Sequence, residues 1–139
     1  MKNEFSTSWL GSRQIRKQRK YRYNAPMHLK HKFLSAHLSK ELKEKYGKRS
    51  LPLRKGDEVL VMRGSFADKK GKISLVDLTN SRVALEGIQR QKRDGAKVNA
   101  YFRPSALKIL NLTLEDKERI SALNRKQAVS EKAKIVEKK

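Results

Sequence analysis

Residues 53–73, LRKGDEVLVMRGSFADKKGKI, hold a short apolar strand with glycine-marked bends on both sides. Val59 and Val61 alternate with Leu60 and Met62, so a pleated strand sends the two valines to one face and the other pair to the opposite face. All four side chains are apolar, which predicts a strand buried on both faces inside a closed or nearly closed sheet. Ahead of it, Arg54-Lys55-Gly56-Asp57 is a turn signal. Behind it, Gly64 and Gly71 bracket a polar excursion carrying Lys69 and Lys70 that returns through Lys72-Ile73. The chain must bend sharply on both flanks of the strand.

The order Val61-x-x-Gly64-x-x-x-Asp68-x-x-Gly71-Lys72-Ile73 resembles the KOW motif, a signature of small SH3-like β-barrels in ribosomal and transcription proteins. The resemblance implies a mainly β chain built on such a barrel. It departs from the pattern at Asp68, where the usual residue is glycine. Asp is one of the few side chains that tolerate a left-handed backbone, so the turn is expected to form at modest cost.

Working outward, residues 49–110 read as a set of short strands. Leu51-Pro52-Leu53 is an edge piece, because proline cannot donate to a ladder. Glu58–Arg63, Lys72–Asp77, Arg82–Glu86 and Ala106–Leu110 follow, with Asn80-Ser81 as a hairpin turn and Val98–Phe102 as a further strand before Pro104. Gln89–Lys97 is read as a charged loop turning at Asp94-Gly95. About sixty residues bury only about 60% of the surface their unfolded chain exposes, so the barrel is expected to be marginal alone.

Residues 1–48 form a basic arm with short helices. Residues 1–40 carry ten basic residues against the single acid Glu4, and six of the ten positions from Arg13 to Arg22 are Arg or Lys. Trp9, Leu10, Ile15, Tyr21 and Tyr23 are too few and scattered for a core, so a helix over 12–21 would be ordered by a partner. Pro26 starts a second short helix over 27–34. Ser39 caps a third that runs through Lys45 and stops near Gly47, with Leu38, Leu42 and Tyr46 on one stripe. Residues 111–139 are read as a C-terminal helix and a frayed tail: Thr113-x-x-Asp116 resembles a capping box, Ile120 and Leu123 are the docking contacts, and the chain beyond Ala128 is mostly charged.

The net charge of +21, from 35 Lys and Arg against 14 Asp and Glu in 139 residues, is self-repelling without a polyanionic partner. Nucleic acid is the first candidate. Zero cysteines exclude disulfides and thiolate metal sites. His28, His31 and His37 lack a fourth ligand for zinc, so no metal or other cofactor is expected. Apolar runs are too short for a membrane span, and no membrane insertion is expected. Gly64 and Gly71-Lys72 do not form a phosphate loop, since Ile73 stands where Ser or Thr is required. Asp57 and Glu58, adjacent on a strand, point to opposite faces and cannot cooperate as acid and base. The chain is read as a non-enzyme with no small-molecule substrate.

Tyr23-Asn24-Ala25-Pro26, Leu38-Ser39-Lys40-Glu41-Leu42, Arg49-Ser50-Leu51-Pro52-Leu53-Arg54, the KOW stretch and Arg103-Pro104-Ser105 together resemble the archaeal and eukaryotic branch of large-subunit ribosomal protein family twenty-four, over residues 13 to 125. That resemblance implies a cytoplasmic, ribosome-bound structural protein that binds large-subunit ribosomal RNA, supports early subunit assembly and sits near the polypeptide tunnel exit. Neighbouring ribosomal proteins are implied partners, and the nascent chain or translocation machinery are candidates.

The charge points to RNA independently of the resemblance. Arg and Lys release counterions from phosphates, and arginine adds bidentate contacts. An extended phosphate clamp is assigned to Arg13, Arg16, Lys17, Arg19, Lys20, Arg22, Tyr23, Asn24, His28, Lys30, His31 and Lys32. Arg54, Arg63, Gly64, Lys69, Lys70 and Lys72 lie in or beside the barrel's turns. Arg90, Lys92 and Arg93 form a third basic loop, and Arg103 precedes Pro104. Removing residues 1–34 is expected to weaken RNA binding and flatten its salt dependence. The rival reading is a KOW-type transcription elongation factor, which usually carries a separate α/β domain where this chain has its arm.

Overall fold

The computed structural model describes Phe5 and residues 12–125. The readings made for Trp9, Leu10 and the chain beyond Ala128 lie outside these residues.

The first helix, α1 (Ile15–Asn24), buries none of its side chains, and at ten residues it is shorter than an isolated helix needs for stability in water. Its internal anchor is Tyr21, whose ring lies 4.9 Å from that of Phe5 and 6.1 Å from that of Phe33. Helix α2 (Met27–Phe33) begins behind Pro26, whose fixed φ of −65° suits a helix start. Helix α3 (Lys40–Tyr46) matches its expected caps: the Ser39 hydroxyl accepts from the Leu42 N–H, and Gly47 is left-handed with φ 60°. Leu38 is not on the α3 stripe as read from sequence. It belongs to β1 (Ser35–Leu38), a strand the sequence reading lacks.

The remaining strands are β2 (Ser50–Pro52), β3 (Glu58–Val61), β4 (Lys70–Asp77), β5 (Arg82–Gln91), β6 (Lys97–Phe102) and β7 (Leu107–Asn111), with a 3₁₀ turn at Pro104–Ala106 before the last. They form one sheet in the order β2-β1-β7-β3-β4-β5-β6. Strands β3 to β6 are an antiparallel meander, β7 returns antiparallel to β3, and β1 runs parallel to β7. Proline-bearing β2 stands at an edge, as its missing N–H requires. The sheet curls into a small SH3-like barrel around Val59, Val61, Ile73, Val83, Leu85, Leu107 and Ile109, all fully buried or nearly so. Leu34, Ala36 and Leu38 join the same core.

Three expectations are corrected. In β3 only the valine face is buried, while Leu60 and Met62 are half-exposed, because a single-layered barrel leaves its outer face to solvent. Residues 89–97 are not all loop. Strand β5 runs through Gln91 and β6 starts at Lys97, so the connection shrinks to 92–96, closed by the Lys92 N–H on the Ala96 carbonyl at 2.9 Å. Charged side chains do not oppose a ladder whose faces are both in water. Finally, Thr113 does not cap the C-terminal helix α4, which spans 117–125 among the described residues. Asp116 does, accepting from the Glu118 N–H at 2.9 Å. Leu123 docks fully buried, but Ile120 is 38% exposed.

The Thr113 N–H goes instead to Asp57, and Asp57 is the hub the sequence reading missed. Its side chain is fully buried and accepts the N–H groups of Arg54 (2.9 Å) and Thr113 (3.1 Å). Arg119 of α4 closes on it as a fork, Nη1 to Oδ1 at 2.7 Å and Nη2 to Oδ2 at 2.6 Å. The same guanidinium donates to the carbonyls of Thr113 and Pro52. Gly56, with φ 90°, makes the hub possible: a Cβ there would stand 3.0 Å from the Thr113 hydroxyl. The turn before β3, the edge strand β2 and α4 are thereby tied at one carboxylate.

Candidate nucleic-acid interface

The KOW loop is shaped by two left-handed residues. Gly64 has φ 98°, and Asp68 has φ 63°, the conformation expected of an Asp in the glycine's place. The Ala67 N–H reaches the Gly64 carbonyl at 3.0 Å and the Asp68 N–H reaches the Val61 carbonyl at 2.8 Å, so the loop folds back on β3. Phe66 at its tip meets Phe102 edge-on, with ring centroids 5.8 Å apart.

That contact floors an open groove of about 900 Å³ between the KOW loop, the β5–β6 hairpin and the end of β6. The groove gathers Arg63 and Gly64 from the loop, Arg90, Lys92 and Arg93 from the hairpin, and Arg103 beyond β6. It also takes in Arg82 and Tyr101, which the sequence reading did not single out. The available signal was parity: in a strand over 98–102 that sends Ala100 and Phe102 inward, Tyr101 must face out. Among the described residues, no carboxylate lines the groove.

A second depression, lined by Arg22 and Tyr23 of the arm together with Ser105, shares Arg82 and Arg103 with the first. The two form one cationic track from α1 onto the barrel. Tyr23 is 81% exposed. Arg13, Arg16, Lys17, Arg19 and Lys20 stand exposed before and along α1, and Asn24 ends it. His28, His31 and Lys32 are exposed on α2, and Lys30 is half-buried there.

Other residues named from sequence lie elsewhere. Lys69 sits with its ammonium 5.3 Å from the Phe66 ring centroid, and Lys70 and Lys72 are exposed on β4 opposite Leu60 and Glu58. Arg54 lines a separate depression against α4 and forms an ion pair with Asp116. The Asp116 carboxyl is held below its ordinary value of 3.8, first by the Glu118 N–H and then by Arg54. Asp77 is lowered by the Asn80 side-chain amide and then by the Asn80 N–H, the bonds that fold the β4–β5 turn.

A family profile that describes eukaryotic ribosomal proteins L26 and their archaeal L24 counterparts matches residues 12–126. The chain is 48% identical over 115 residues to the large ribosomal subunit protein uL24 of Methanosphaera stadtmanae, covering 83% of this chain and 98% of that relative. It is 49% identical over 110 residues to the uL24 protein of Korarchaeum cryptofilum, covering 79% and 84%.

Proposed function

The chain belongs to the family of eukaryotic L26 and archaeal L24 ribosomal proteins, and from that premise we propose that it grips ribosomal RNA along the track joining α1 to the barrel groove. The family is one of non-enzymatic structural constituents of the large subunit of the cytoplasmic ribosome, with ribosomal RNA and neighbouring ribosomal proteins as partners. The transcription-factor alternative is not favoured, because the family match runs through the arm as well as the barrel.

The observation that carries the proposal is the meeting of the two depressions at Arg82 and Arg103, with no acid among the described residues that line them. Several phosphates can lie along such a track, and each contact releases counterions. The first turn of α1 carries Arg16 and Lys17 and no acid, which opposes the helix macrodipole. Phosphates alongside relieve that repulsion, so the arm is stabilised by the ligand it holds. RNA is recognised mainly by shape, since side chains cannot read the deep major groove of an RNA helix. A role early in subunit assembly and a position near the tunnel exit belong to the same proposal. There the exposed 92–96 loop would stand within reach of the nascent chain or translocation machinery.

The test is a full-length variant with Arg16, Lys17, Arg19 and Lys20 all changed to Gln, titrated against a large-subunit RNA fragment over a range of salt. The magnitude of the log–log salt slope should fall by about 3, at 0.7–0.9 per phosphate contact. Unchanged affinity and slope would refute the arm's role. Substitution is the sounder design than removing residues 1–34, because that cut also takes away Leu34, which is fully packed in the core.

A further inference from the structure

The register of β4, β5 and β6 fixes what the outer face of this half of the barrel presents. Val83 pairs with Phe102 and both are buried, so the neighbouring positions point outward. One outward row is Leu75, Ala84 and Tyr101, and the next begins with Asp77 and Arg82. Arg103 keeps an extended backbone, with φ −82° and ψ 144°, and so continues the outward side of β6 beyond Asn99 and Tyr101. Tyr101 is 49% exposed, whereas the small Ala84 beside it in this row is fully covered. Asn99, Arg82 and Arg103 line the same groove as Tyr101.

A lone exposed tyrosine needs no explanation. This one stands in an open concavity whose next outward row carries two arginines, Arg82 and Arg103, with an amide on the same strand face and no carboxylate among the described lining residues. Each component has a use for one kind of ligand. The ring offers a stacking surface, the amide has a donor and an acceptor for a base edge, and the guanidinium groups hold the flanking phosphates. A duplex would use the arginines and leave the ring and amide idle, because its bases are already stacked and paired.

The geometry points to a subsite for an unpaired RNA nucleotide, its base stacked on Tyr101 and its edge met by Asn99, with Arg82 and Arg103 on the phosphates. This rests on the RNA-binding reading above and deepens it: beyond gripping phosphates, the groove would select a bulged or looped nucleotide over continuous duplex.

The experiment uses the full chain and two fluorescein-labelled probes at equal phosphate number, a single-stranded mixed-sequence RNA decamer and a blunt RNA duplex. Tyr101→Leu keeps the apolar surface and removes the π face. It should weaken binding to the single strand about 5- to 150-fold, the range for loss of one stacked base, and leave duplex binding and both salt slopes unchanged. Tyr101→Phe should restore binding, and Asn99→Ala should weaken the single strand alone. Arg82→Gln with Arg103→Gln should weaken both probes. If Tyr101→Leu binds the single strand like the wild type, or loses both probes equally, the subsite is refuted while the phosphate track stands. If the double arginine variant also changes nothing, the track itself fails in the groove.

Discussion

Replacing Asp57 with alanine is the perturbation whose cost the structure specifies most closely. The carboxylate is inaccessible to solvent, and the Arg119 side chain opposite is only 4% exposed. Removing the acid leaves a buried guanidinium with two carbonyl partners and with its Nε already lacking one. Stranding one member of a buried pair costs about 3–5 kcal/mol. The N–H groups of Arg54 and Thr113 lose their acceptor in the same step, at roughly 1–3 kcal/mol for each that stays dry. A small domain has about 5–15 kcal/mol in total, so Asp57→Ala should leave little of the folded state. Taking the lower figure of about 3 kcal/mol, the thermal midpoint should fall by about 12–24 °C, at 4–8 °C per kcal/mol for a domain this size. Urea and thermal unfolding followed by far-ultraviolet circular dichroism measure this directly. Arg119→Met should cost a similar amount, and the double variant should be no worse than the poorer single one, because the second change removes the charge the first stranded. A loss below about 1 kcal/mol for Asp57→Ala, or simple addition of the two single losses, would show that the hub does not hold α4 to the barrel.

Two further outcomes follow from local geometry. Asp68→Gly should leave the KOW loop intact and change stability by no more than about 1 kcal/mol, whereas Asp68→Val at φ 63° should cost roughly 1–2 kcal/mol, read as a shift in urea midpoint. The depressed Asp116 and Asp77 carboxyls contribute stability that is present above their ordinary value of 3.8 and lost as pH falls through the lower folded-state values. Asp77→Ala and Asp116→Ala should therefore flatten the acid limb of a stability–pH curve below about pH 4, and an unchanged limb would contradict those assignments.

The barrel was legible because its signals are local. Alternating valines, glycines at sharp bends and an Asp able to take a left-handed turn each act within a few residues, and all reappear in β3 and the KOW loop. Helix α3 was legible for the same reason, through Ser39 and Gly47. Strand β1 was not, since four residues hold too short an alternation and its pairing with β7 joins positions about seventy apart. The Asp57–Arg119 fork spans 62 residues and was hidden in the same way, with Asp57 read as one more turn former. The cations were easy to find and hard to place. Arg63, Arg90, Lys92, Arg93 and Arg103 come from three separate stretches, and only the curl of the sheet brings them to one groove. Arg54 looked equivalent in sequence, yet it turns toward Asp116.

What the few acids do explains how the remaining charge becomes useful. Among the described residues, Asp57 and Asp116 neutralise Arg119 and Arg54, Asp77 folds the β4–β5 turn, and Glu58 holds the Asn111 amide at 2.6 Å. None of these four lines the two connected depressions, and neither paired arginine does. Structural ion pairing is thus concentrated where β2, the turn before β3 and α4 meet, while the face carrying Arg22, Arg82 and Arg103 keeps a net positive charge with one acid, Asp77, acting on Arg82 from across the β4–β5 pair. Were the same acids spread evenly, each would lower the field at the groove and weaken phosphate attraction without adding to the core. Segregation lets one small fold satisfy two opposed demands, a neutralised joint that keeps the barrel closed and a surface of net positive charge that a polyanion must complete.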